Sequence, residues 1–98
     1  MSAKEDNIQR IKTILREDKF KWLYLSQFIS SEIDNIEIIK YQIDHEIPEV
    51  ISIIKEDKTL SDRERMLSIL DNAIDIRKKD LKVLEDRRRN NGNADKNS

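Results

Sequence analysis

Residues 61–89 read SDRERMLSILDNAIDIRKKDLKVLEDRRR, from Ser61 to Arg89. Leu67, Leu70, Ile74, Leu81 and Leu84 recur at alternating steps of three and four, and Arg77 fills the missing position of the same seam. Steps averaging 3.5 residues keep these positions on one stripe of an α-helix, the pattern of a coiled-coil-type seam. The start is marked by Ser61 and Glu64, spaced as a capping box. In that motif the serine hydroxyl accepts the N–H at residue 64 while the glutamate reaches back to the N–H at residue 61. Arg87, Arg88 and Arg89 close the segment, where cations complement the helix dipole.

Upstream, Pro48 is the only proline and Gly92 the only glycine. Proline disfavours helical geometry at the preceding residue and suits the first turn of a new helix. Val50, Ile51 and Ile54 then mark a short connecting helix, followed by a polar stretch at 55–59. Before Pro48, residues 18–45 form a second long amphipathic helix. Trp22, Leu25, Ile29, Ile33, Ile36, Ile39 and Ile43 share one face, with Leu23, Ser30, Asp34, Glu37 and Tyr41 roughly opposite. Ile8, Ile11, Ile14 and Leu15 mark a short N-terminal helix over 4–16, and a break near 16–19 makes Asp18 a candidate N-cap. The expected fold is all-α: a small antiparallel helical bundle or hairpin of two long helices, about 18–45 and 61–89. Residues 1–89 form the single domain, and the polar stretch 90–98 reads as a disordered tail.

Composition narrows the function. The chain has 98 residues, 40% of them charged, with a formal net charge of −1. That balance argues against a generally basic nucleic-acid or membrane binder. It has no cysteine, hence no disulfide framework or thiol chemistry, and a cytoplasmic location is expected. A single glycine in the tail leaves no phosphate-binding loop. His45 is the only histidine, and a zinc site needs several nitrogen or sulfur ligands. No catalytic residue, metal ligand or cofactor is assigned, and the chain reads as a non-enzyme. The bias toward isoleucine, lysine, asparagine and aspartate suggests an AT-rich genome, such as that of a low-GC bacterium, phage or mobile element.

Two clusters stand out. Phe20, Trp22, Tyr24 and Phe28 fall within nine residues and are the candidate anchors for a partner protein, or else the thickest part of the core. Lys78, Lys79, Lys82, Arg87, Arg88 and Arg89 are the candidate phosphate contacts, although Asp75, Asp80, Glu85 and Asp86 interleave with them. The expected role is a regulator, inhibitor or adaptor that binds another protein, as a homodimer because its apolar seams are long for one small chain. A nucleic-acid-binding regulator and a self-assembling structural component are the alternatives.

Overall fold

The computed structural model describes residues 3–29 and 33–97, with side chains described through Arg89. Its elements are α1 (Ala3–Arg16), α2 (Asp18–Ser26), α3 (Ile36–Tyr41), a π-helical turn (Gln42–Glu46), α4 (Ile47–Glu56) and α5 (Arg63–Asn97). No strand occurs among the described residues. Because α3, the π-turn and α4 follow without interruption, four helical bodies pack together: α1, α2, the rod 36–56 and α5. Ser30 lies outside the described residues, and the expected tail at 90–98 lies beyond the described side chains.

The rod and α5 form an antiparallel hairpin. At its closed end the Arg63 guanidinium donates to the carbonyls of Ile54 and Lys55, at 2.9 Å each, and so satisfies the C-terminal acceptors of α4. At the open end Ile33 and Asp34 share a hollow with Val83, Leu84 and Arg87. The main core gathers toward the closed end, where Ile47, Val50, Ile54, Met66 and Leu70 are each at most 1% exposed. Ile11 and Leu15 of α1, with Leu25 and Phe28 from the α2 region, complete it.

Three expectations need correction. First, the helix expected over 18–45 is two helices. The chain leaves α2 through successive three-residue turns, with the Gln27, Phe28 and Ile29 amides bonding to Tyr24, Leu25 and Ser26 carbonyls. It restarts at Asn35, whose Oδ1 accepts the Glu37 and Ile38 amides at 3.0 and 3.2 Å. That is an N-cap bond, and it closes the orphan donors of α3. By contrast the expected break near 16–19 is present, at Glu17, which is extended (φ −94°, ψ 107°). Glu17 rather than Asp18 holds the N-cap position.

Second, Pro48 lies inside a continuous helix, so the segment after it is the second half of the rod and not a connector. Ile47 stays helical (φ −65°, ψ −47°) and its amide bonds to the carbonyl of Gln42, five residues back. A proline ring collides with the carbonyl four residues earlier, here Asp44, and widening the turn relieves that collision. The extra residue also resets the buried face. Ile39 and Gln42 are followed by Ile47, not Glu46, on the inside.

Third, the capping box does not form. The first described helical bond runs from the Met66 amide to the Asp62 carbonyl, and Asp62 has a left-handed φ of 58°. Ser61 Oγ instead accepts from Lys21 Nζ at 2.9 Å and donates to Asp18 at 3.3 Å. The α5 seam is also broader than a coiled-coil stripe. Met66, Leu70, Ala73 and Arg77 are most buried, flanked by half-buried Leu67, Ile69 and Ile74. α5 carries both the rod and α2, and two partners need a wider apolar arc than one.

Candidate functional site

α2 is apolar on more than one side. Its inward face carries Leu25, and Phe28 follows in the turn after it, 0% exposed, edge-on to Tyr24 at 5.7 Å. Phe28 is therefore core, not an accessible anchor. Trp22 and Tyr24 are half-buried against that core, and Trp22 has the Lys21 ammonium and the Arg65 guanidinium at 5.0 and 5.2 Å from its ring. Phe20 is 52% exposed and Leu23, one turn on, 71% exposed. Ile29 stands partly exposed beyond the helix end. Leu23 was legible only as an anomaly: a leucine on the face opposite the seam.

A buried lysine fixes this helix in place. Lys21 is fully enclosed, yet its ammonium reaches Asp18 at 2.8 Å, Asp62 at 3.1 Å and Ser61 Oγ at 2.9 Å. The hydrogen bond it donates to Asp18 holds the ammonium above the ordinary lysine range, against the opposing effect of burial. The same bond holds the Asp18 carboxyl below the usual carboxylate range. This network ties the first turn of α2 to the 61–62 turn, so Phe20 and Leu23 are presented on a fixed helix.

The basic residues do not form one patch: Arg87 and Arg88 each line a hollow apart from the outward lysines. Lys78, Lys79, Lys82, Arg87, Arg88 and Arg89 are all exposed. Successive residues of a helix turn by about 100°, so the three arginines point in different directions. Arg87 lines the hollow with Asp34 and Asp80, and Arg88 lines a second one with Asp34 and Glu37. Helical spacing leaves Lys78, Lys79, Lys82 and Arg89 on the outward face, where it also puts Asp75 and Asp86.

One feature was not read from the sequence at all. Between α1 and the rod runs a groove of about 760 Å³, floored by Ile8, Pro48 and Ile53. A hollow of about 220 Å³ continues it toward α2, and Asn7, Tyr41 and Glu49 line both. The π-turn forms its middle, placing Tyr41 and His45 side by side with ring centroids 5.2 Å apart. Burial, reinforced by the charge of Glu49, raises Glu46 above the ordinary carboxylate range. The Tyr24 phenol is pushed up to about 12, first by burial and then by the charge of Glu46.

That shift has a sign. A phenol harder to ionise in the folded chain leaves stability intact below its usual pKa of 10.0 and removes it as pH rises from there to about 12. Lys21, held above 10.5, loses its own contribution in the alkaline range as well. The melting temperature is therefore expected to fall above pH 10. In a spectroscopic titration the Tyr24→Phe variant should lose the late step of tyrosinate absorbance near 12. An unchanged titration curve would contradict the buried phenol.

Among the described residues no group of three or more histidine, aspartate or glutamate side chains is placed to hold a metal ion. No described helix is long and apolar enough to cross a membrane. No family model, curated protein or solved structure matches the chain.

Proposed function

We propose that this chain is a non-catalytic helical interaction protein, a regulator, inhibitor or adaptor that binds another protein through the outward face of α2. The observation that carries the reading is the exposure of Phe20 and Leu23, at 52% and 71%, on a helix whose other side is already in the core. A helix apolar on more than one side wants cover on each of them, and exposed apolar patches mark contact surfaces. Aromatic side chains on a rigid element also lose little entropy on binding. The scattering of Arg87, Arg88 and Arg89 makes a phosphate-contacting role the weaker reading.

The test is substitution of both exposed positions, Phe20→Asp with Leu23→Asp, in the full chain. Exposed changes of this kind leave stability within about 0.5 kcal/mol, so circular dichroism and urea midpoint should be unchanged. Affinity capture from the native host should lose its partner, with nuclease treatment as control. Light scattering over a range of concentrations adds the second readout. A mass that doubles in the parent chain and not in the variant assigns the face to a second copy. Retention of every captured protein by the variant would overturn the reading.

A further inference from the structure

The groove between α1 and the rod has an apolar floor and an acidic wall. Asp44, Glu46, Glu49 and Glu56 line it or its continuation, against Lys4 and Arg10. Arg10 lies in the continuation with them, its Nη2 donating to Asn7 of its own helix at 3.0 Å, so acidic residues outnumber basic ones four to two along the lining. Neither Glu46 nor Glu49 belongs to an ion pair found among the described residues, which join Arg16 to Asp57, Lys21 to Asp18 and Asp62, and Arg77 to Asp80. Glu49 Oε1 is enclosed by protein and receives no hydrogen bond. A carboxylate oxygen removed from water without a donor leaves the Glu49 charge poorly compensated, and a cation in the groove beside it would supply the missing counter-charge.

We propose that this groove is a docking site for a lysine- or arginine-bearing amphipathic segment of a partner protein. The apolar side of such a segment lies on Ile8, Pro48 and Ile53. Its cations meet the Glu46 and Glu49 carboxylates and the face of Tyr41, which is 56% exposed. Each part has a physical counterpart: apolar burial on the floor, charge-assisted hydrogen bonds at the wall, and cation–π attraction at the ring. The π-turn matters because its extra residue brings Ile47 inward and leaves Glu46 at the rim. The site is separate from the α2 face and does not depend on the reading given to that face.

The probe is a short synthetic helix of lysine, leucine and alanine with its lysines on one side. The counter-probe is the same helix with glutamate in place of lysine. Titrated into the full chain and followed by NMR, the lysine helix should shift the ring signals of Tyr41 and His45, with affinity that falls as salt rises. The combined Glu46→Gln and Glu49→Gln variant should bind about tenfold more weakly with unchanged helicity. If that variant does not fold, Asp44→Asn with Glu56→Gln, both exposed positions, provides the same test from the rim. The variant with aspartate at 20 and 23 should bind the lysine helix as the parent does, which separates this site from the α2 face. Equal binding of both helices, shifts confined to residues outside the groove, or wild-type affinity in the glutamine variant would overturn the proposal. So would self-association that displaces the peptide, because the occupant would then be a second copy.

Discussion

Phe28→Ala is expected to lower the free energy of unfolding by about 3–5 kcal/mol. The ring is 0% exposed and belongs to the cluster that joins Leu25 to Met66, Leu70 and the α4 isoleucines. Truncation removes the transfer free energy of the ring and leaves a cavity that helices anchored at both ends cannot fill completely. It also removes the edge-on contact with Tyr24. Domains of this size have only about 5–15 kcal/mol of stability, so the variant should unfold at much lower urea. Its neighbour on the outward face, Phe20, should behave differently, because an exposed ring truncated to alanine changes stability by about 0.5 kcal/mol or less. Urea unfolding of the two variants side by side measures the difference. Equal, small effects would show that Phe28 is not core.

Arg77→Ala is expected to cost about 2–4 kcal/mol, although a charged residue is being removed from an apolar seam. The side chain is 1% exposed. Its Nη2 donates to the carbonyl of Gln27 at 3.0 Å and its Nη1 pairs with Asp80 at 3.2 Å. Gln27 follows directly on α2, where helix-end carbonyls lack intrahelical donors. Alanine would leave that carbonyl without the guanidinium and open a cavity against α5. Asp80 contributes little to the loss, since its side chain is 38% exposed and water can replace the cation. Hydrogen exchange gives a specific readout: the amides of Gln27, Phe28 and Ile29 should exchange faster, with α4 least affected. Uniform acceleration along the chain would mean that Arg77 stabilises the core generally and does not hold this turn.

Both expectations rest on residues whose significance the sequence left open. Phe28 was one of four aromatic residues with two possible roles, and spacing alone does not say which of several faces meets a neighbour. Arg77 was a charge at an apolar position. Its purpose requires a carbonyl fifty positions away in the chain. Lys21 is the same case: nothing in its neighbourhood along the chain announces a buried ammonium, because two of its partners, Ser61 and Asp62, arrive from the α4–α5 connection. Asn35 is different. It stands before Ile36 and Glu37 as an N-cap residue stands before a helix, and that local signal was overridden by an isoleucine spacing that runs on across the gap.

The amino-acid sequence by itself determined that this protein is helical, where α1 runs, where α5 begins, and that the chain turns back on itself before α5. Those properties depend on local spacing: apolar residues at 3.6-residue intervals bury a face only as a helix, whatever the neighbours are. Tertiary structure alone decided which faces of α2 are covered, the passage of the rod through Pro48, the burial of Lys21 and Arg77, and the acidic groove beside the π-turn. Each of these is settled by a partner distant in sequence or by the competition of two packing faces for one helix. Hydrogen bonding and burial are set by which surfaces meet, and local periodicity carries no record of that meeting.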